Sequence, residues 1–217
     1  MRESFHRELD RLDQDIVRMG ALVEQNTQSA TRALIDCDRE LAQKVRDSDA
    51  EIDNLYLDIE RRALILLAQQ APVARDLRLI VAILRAINDL ERSGDLAYNI
   101  AKLAQMEDFC AAPELKPVRA LVADLGKAAA QLLGSAIDAW AAKDDGLAAG
   151  ISIQDDVLDN LHSQLIARLV ELKGQDSLAT AIRLAMIGRY LERIGDHAVN
   201  LSERIRYFLS GDEIYLG

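Results

Sequence analysis

The sequence predicts an all-α protein built as two pseudo-symmetric three-helix bundles, six long helices joined by short connections. Three observations carry that prediction. The first is internal duplication: Glu91-Arg-Ser-Gly-Asp95-Leu-Ala-Tyr-Asn99 returns 101 residues later as Glu192-Arg-Ile-Gly-Asp196-His-Ala-Val-Asn200. Upstream, Asp49-Ala-Glu-Ile-Asp53-Asn54-Leu55 matches Asp155-Asp-Val-Leu-Asp159-Asn160-Leu161 at an offset of 106, which also carries Ala33 to Ala139, Asp38 to Asp144, Leu41 to Leu147 and Val45 to Ile151. A repeat of this length is read as architecture before anything else, and the change of offset places a connection five residues shorter in the second half. The second observation is helical periodicity, and the third is composition: half the 217 residues are hydrophobic but only 4% are aromatic and three are proline. Alanine and leucine dominate, which favours helix over strand.

The first helix carries apolar residues at alternating steps of four and three, through Phe5, Leu9, Leu12, Ile16, Met19, Val23, Ala30, Ala33 and Cys37, with Asn26 the single polar member. That spacing predicts a narrow coiled-coil seam. Shifted by 106 it becomes Leu115, Val118, Val122, Leu125, Ala129, Leu132, Ala136 and Ala139, all apolar, so the fourth helix repeats the first. The second helix, roughly 39–69, uses Leu41, Val45, Ile52, Leu55, Ile59 and Leu66, and its counterpart, roughly 145–173, uses Leu147, Ile151, Leu158, Leu161, Leu165 and Leu172. Ala71-Pro72 ends the second helix because proline disfavours a helical residue before it, and Lys173-Gly174 is expected to end the fifth with a glycine stop. The third helix is expected to turn Leu77, Ile80, Leu84, Ile87, Glu91, Gly94 and Tyr98 inward, and the sixth Leu178, Ile182, Ala185, Glu192, Gly195 and Val199. The stretch 107–117, with Pro113 and Pro117, reads as the linker, giving bundles at 1–106 and 107–217.

Each half therefore holds two acid pairs at i and i+4, one helical turn apart on one face. Such a pair repels itself by a few tenths of a kcal/mol unless a cation intervenes. A glutamate at a seam position needs a charge partner or a metal. Glycine in a helix interior costs roughly 1 kcal/mol against alanine, a cost that close approach of a neighbouring helix would offset. The predicted metal ligands are Asp49, Asp53, Glu91 and Asp95 in the first half and Asp155, Asp159, Glu192 and Asp196 in the second. Carboxylates without thiolates suit hard cations: iron, manganese or magnesium. Asn99 and Asn200 lie one turn further along and would donate to a ligand or support the carboxylates. The competing reading is a solvated acidic face neutralised by Arg92 and Arg193. His162 is read as a surface residue, Tyr98 and Tyr190 as packing residues, and Glu3-Ser-Phe-His6 as the one E-x-x-H, where a di-iron oxidase needs two.

With a net charge of −10, a nucleic-acid partner is not expected. No apolar run approaches the roughly 18 residues that span a bilayer, so no direct membrane insertion is expected, and the N-terminal residues do not read as a signal peptide. Cys37 and Cys110 show neither metal nor redox spacing and read as reduced thiols of a cytoplasmic protein.

The paired L-E-R-x-G-D-x-A-x-N stretches at Leu90–Asn99 and Leu191–Asn200, the two D-x-x-x-D pairs, and Gln69-Gln70-Ala71-Pro72-Val-Ala-Arg75-Asp76-Leu-Arg78 together resemble the PhoU family of phosphate-transport and phosphate-signalling regulators, over nearly the whole chain. The resemblance implies two three-helix bundles, and metal on the eight acids named above. It implies a cytoplasmic adaptor that represses the phosphate-starvation response. Its partners would be the ATPase subunit of the phosphate ABC transporter and the phosphate-sensing histidine kinase. No catalytic activity follows from it. Separately, an Ala- and Leu-rich bundle with residual apolar stripes is compatible with a homodimer, the monomer being the alternative. The alternatives are a metal-dependent phosphohydrolase using clustered ions, for which no general base or nucleophile beyond the ligands is evident, and a purely structural bundle with empty acid pairs.

Overall fold

In a computed structural model, residues 2–106, 115–172 and 177–211 are described. They form α1 (Arg2–Asp36), α2 (Arg39–Gln70), α3 (Ala74–Met106), α4 (Lys116–Ala142), α5 (Asp145–Ala149), α6 (Ile151–Val170) and α7 (Ser177–Ser210), with no strand among them. The expected fifth helix is interrupted at Gly150, which closes α5 and opens α6. The equivalent first-half residue is Lys44, inside an unbroken α2; glycine is the weaker helix former. Counting α5–α6 as one interrupted helix, the six-helix reading holds. The expected stop at Lys173-Gly174 and residues 107–114 of the expected linker lie outside the described residues, while Pro117 opens the first turn of α4, where proline's missing N–H costs nothing.

The duplication extends to the turns. Cys37 and Lys143, 106 apart, both adopt positive φ, at 52° and 53°. The following Asp38 and Asp144 cap the next helix, accepting from the amides of Leu41 at 2.9 Å and Leu147 at 3.0 Å. Their own amides reach back to Ala33 O and Ala139 O, the six-to-one bond of a Schellman ending. The Asp38–Asp144 match in the sequence is thus a matched pair of N-caps. Cys37 is disulfide-bonded, which corrects the expectation of reduced thiols; a disulfide need not leave any short spacing in the sequence. Cys110 lies outside the described residues.

α1, α2 and α3 pack as one bundle and α4, α6 and α7 as the other, and the bundles join along α1 against α4 and α3 against α7. The heptad seams of α1 and α4 are buried throughout from Phe5 to Ala33 and from Leu115 to Ala139, Asn26 included. Ser48 Oγ donates to Asn26 Oδ1 at 2.9 Å, which satisfies that interior polar residue. Neither helix is confined to a narrow seam, however. A second buried stripe, Thr27, Thr31 and Leu34 on α1 and Ala130, Leu133, Ile137 and Trp140 on α4, forms the joint between bundles. The threonine hydroxyls donate to Val23 O and Thr27 O at 2.9 Å. Trp140 Nε1 donates to Asp13 at 2.8 Å, and Lys143 pairs with the same carboxylate. By length and composition α4 alone among the described helices could cross a bilayer, but Asp124, Lys127 and Asp138 interrupt its apolar run, and its apolar residues form those two buried stripes, facing α1, α6 and α7.

The predicted inward stripe of α7 also needs correction. Leu178 and Ile182 are 73% and 53% exposed, and Leu77 of α3 is 39% exposed. The core uses Leu184, Ile187, Leu191, Ile194, Ala198, Leu201, Ile205 and Phe208, because α7, like α3, must serve its own bundle and the opposite one.

The α1–α4 joint is isologous. A side chain at Gly126 would strike Thr31, and one at Gly20 would strike Ile137; each contact maps onto the other when 106 is added to one partner and subtracted from the other. Gly126→Leu is therefore expected to destabilise the protein by about 1–3 kcal/mol through overpacking. Adding Thr31→Ala should recover part of that loss, as coupling between contacting residues requires. Urea denaturation of the single and double variants checks this; a neutral or stabilising Gly126→Leu would show that the joint is not close-packed there.

Candidate functional site

Each acid cluster sits in the groove between two helices of one bundle, and a glycine sets the width of that groove. A Cβ built on Gly94 of α3 would lie 3.2 Å from Ile52 Cδ1 and 3.7 Å from Asp49 Oδ1 on α2. A Cβ on Gly195 of α7 would strike Leu158 and come within 2.9 Å of Asp155 Oδ1 on α6. In both halves the first aspartate of the D-x-x-x-D pair therefore lies directly over the glycine of E-x-x-x-D. The structure brings Asp49, Asp53, Glu91 and Asp95 together, and likewise Asp155, Asp159, Glu192 and Asp196. Asp49, Asp155, Glu91 and Glu192 are half-buried, while Asp53, Asp95, Asp159 and Asp196 are exposed. The glutamates thus stand at the groove edge and not in the core seam that their spacing suggested.

The carboxylates act on one another. Burial, then the charges of Asp53 and Asp95, push Asp49 up to about 6. Burial, then Asp159 and Asp196, push Asp155 up to about 6. Glu91 is raised by burial and by Asp95 and Asp53, and Asp95 by burial and Asp53. Glu192 is raised by burial and then Asp196, and Asp196 by burial first. These are the shifts expected of like charges sharing a partly desolvated site. Among the described residues no group of three His, Cys, Asp or Glu side chains is already drawn into a metal cage.

The clusters differ in their neighbours. In the second half Arg189 pairs with Glu192, Arg189 and the expected Arg193 both act on Asp196 against its burial, and His162 lies beside the cluster with its Nε2 buried. Burial and Arg189 lower the His162 pKa, so it is not the free surface histidine expected. At the equivalent first-half positions stand Asn88 and Tyr56, whose hydroxyl hydrogen-bonds Glu60 at 3.2 Å. Tyr98 packs as expected and accepts from Arg46 at 3.1 Å. Asn200 does not support Asp196; its amide donates to Asp89 Oδ1 at 3.4 Å.

Asp89 belongs to a polar set that periodicity alone could not reveal. Between α3 and α7, Ser93 Oγ and His197 Nδ1 are 2.9 Å apart, and Arg204 Nε lies 3.7 Å from Asp89. His197 is 6% exposed, and burial, with the charges of Arg193 and Arg92, lowers its pKa to about 4. Another cross-helix hub, Arg62 on α2, holds Glu8 and Asp15 of α1 at 2.6 and 2.7 Å. The i,i+4 spacing of Asp89 and Ser93 is the only sequence trace of the first set.

The duplicated halves have counterparts among known proteins. The PhoU domain matches residues 16–104 and again 122–205. The chain belongs to the PhoU family. It is 34% identical to the phosphate-specific transport system accessory protein PhoU homolog 2 of Mycobacterium tuberculosis, over 97% of this chain and 99% of that protein. It is also 34% identical to the PhoU homolog of Pseudomonas putida, over 98% of this chain and 83% of that one. The crystal structure of PhoU from Pseudomonas aeruginosa superposes with a TM-score of 0.89 at 33% identity, covering 96% of this chain and 100% of its own. The phosphate transport system regulatory protein PhoU from Streptococcus pneumoniae gives 0.85 at 28% identity, over 98% and 100%. The PhoU-type fold and its duplication are thereby shown.

Asp49 supplies a test of the crowding. With a folded pKa near 6 against 3.8, it holds a proton in the folded state that the unfolded chain has lost between those values. Its contribution is most favourable below pH 3.8 and is lost as pH rises through 6. His197 acts oppositely, losing stability as pH falls from 6.5 toward 4, but it is common to wild type and variant. Metal-free Asp49→Asn should therefore be more stable than wild type at pH 7.5, with the difference closing toward pH 4. Urea midpoints of both proteins across that range measure it; a difference that does not change with pH would contradict the assignment.

Proposed function

We propose that this PhoU-family chain is a non-enzymatic accessory protein of phosphate uptake, working in the cytoplasm. In this reading it represses the phosphate-starvation response as an adaptor between the ATPase subunit of the phosphate ABC transporter and the phosphate-sensing histidine kinase, and it acts as a homodimer of two-bundle chains divided near residues 106–107. The observation that carries the reading is similarity over essentially the full length to proteins named as accessory or regulatory components of phosphate transport.

The acid clusters are proposed as metal sites that shape the docking surface. Asp155 Oδ1 and Glu192 Oε2 are buried without a hydrogen-bond partner, an arrangement a cation would satisfy. Both donor sets are carboxylate oxygens, which fits iron, manganese or magnesium. Asp49, Asp53, Glu91 and Asp95 would hold ions on one bundle, and Asp155, Asp159, Glu192 and Asp196 on the other. A bound ion would supply fixed positive charge on an otherwise acidic surface. Arg189, already on Glu192, competes for the second site.

In phosphate-replete cells, the tagged protein should recover the transporter ATPase and the histidine kinase, and recovery should weaken as salt is raised, because rim charges are screened beyond about 8–10 Å at physiological ionic strength. Recovery of neither partner would reject the adaptor. Elemental analysis of protein purified without chelator should find metal that falls with Glu91→Gln and, independently, with Glu192→Gln. Metal-free wild type would reject the metal sites while leaving the adaptor standing.

A further inference from the structure

We propose that the groove between α1 and α4, at the end where Thr31 faces Gly126, is a binding site for a small anion larger than orthophosphate and carrying two or more negative charges. The groove has a volume of about 440 Å³ and is lined by Gln28, Thr31, Arg32, Lys127, Ala130 and Gln131, among others. That volume lies within the range of small-molecule sites. The internal duplication supplies a control, since the same joint recurs at its other end with different residues.

At that other end Glu24 stands where this groove has Ala130, and its carboxylate lies across Gly134, 3.0 Å from where a Cβ would be. Ile137 stands where this groove has Thr31 and packs over Gly20. Both replacements, Glu24 by Ala130 and Ile137 by Thr31, remove side-chain volume beside Thr31, while Gln28, Ile35 and Lys127 are larger than their counterparts Gly134, Ala141 and Ala21. The charge reverses as well. Arg32 corresponds to Asp138 and Lys127 to Ala21, so the rim changes from two acids, Glu24 and Asp138, to two cations, Arg32 and Lys127. In a chain of net charge −10, a hollow rimmed by Arg32, Lys127 and the Gln131 amide is suited to an anion.

The nearby acids do not close the site. Arg32 Nε is 4.0 Å from Asp36 with both side chains mostly exposed, a weak pair that a multivalent ligand displaces. Glu24 is engaged by the Gln28 amide at 2.8 Å. Orthophosphate alone would fill little of 440 Å³, so a larger anion gains the apolar floor that Ala130 provides. A ligand here bridges the two bundles and braces their joint.

The test is isothermal titration of the full chain with ATP, pyrophosphate, citrate and orthophosphate, at low salt and with chelator present so that the acid clusters hold no ion. The expected result is saturable one-to-one binding of at least one of the first three, tighter than orthophosphate. Arg32→Asp combined with Lys127→Ala should weaken it by about tenfold or more, with an unchanged ligand-free melting point. Ala130→Glu, which fills the groove as Glu24 fills its twin, should do the same; Thr31→Ile serves if that variant does not fold. No saturable binding of any probe overturns the proposal. So does binding lost only in the charge variant, which means surface attraction without a groove, or binding unchanged in both.

Discussion

The feature on which the site depends is the close passage of α2 over Gly94 and of α6 over Gly195. A Cβ at Gly195 would strike Leu158 and crowd the Asp155 carboxylate, and one at Gly94 would press on Ile52 and touch Asp49, so both glycines keep the helices close. Bringing the helices this near forces four carboxylates into each groove, and their mutual repulsion and partial burial raise Asp49 and Asp155 to about 6. Glycine weakens the helix and the carboxylates repel; a protein that accepts both costs twice over has an arrangement that pure packing would not choose. A cation would resolve the conflict, which is why the clusters are proposed as metal sites even though no cage is preformed among the described residues.

Duplication lets each half serve as a standard for the other. What has stayed the same is structural: the left-handed turn residues Cys37 and Lys143, the caps Asp38 and Asp144, and the reciprocal contacts of Gly20 and Gly126. What has diverged lies at surfaces where ligands or partners would act. Arg189 and His162 flank one acid cluster where Asn88 and Tyr56 flank the other. The α1–α4 joint carries the acids Glu24 and Asp138 at one end and the cations Arg32 and Lys127 at the other. The two halves therefore share a scaffold and differ in their chemistry.

The sequence made the scaffold legible because heptad spacing encodes the intra-bundle contact. Every seam residue named in α1 between Phe5 and Ala33, and in α4 between Leu115 and Ala139, is buried. The acid pairs were legible because they repeat. What periodicity hid was the second face of α1, α3, α4 and α7, where one helix serves two neighbours and its apolar stripe widens. That is why Leu178 and Ile182 were read as core while Leu184 and Ile187 take that place. Polar residues at the bundle joint were missed for the same reason: Ser93, Asp89 and His197 interrupt an apolar face, and only packing against α7 shows that they meet. Thr27 and Thr31 could be buried because their hydroxyls return to their own helix backbone, a bond that leaves no mark in the hydrophobic pattern.

The central claim is that the crowded carboxylates are unfavourable alone and favourable around a cation. The most direct measurement is the thermal melt of wild type and Glu91→Gln, each stripped of metal and then resupplied with manganese or iron. An ion that binds only the folded state raises the melting point by mass action. The account predicts that resupplied wild type melts above stripped wild type, that stripped Glu91→Gln melts at or above stripped wild type, and that metal raises the variant less. If metal and chelator leave the wild-type melt where it was, while Glu91→Gln melts higher in both, the clusters are repulsive acidic surface and the account is wrong.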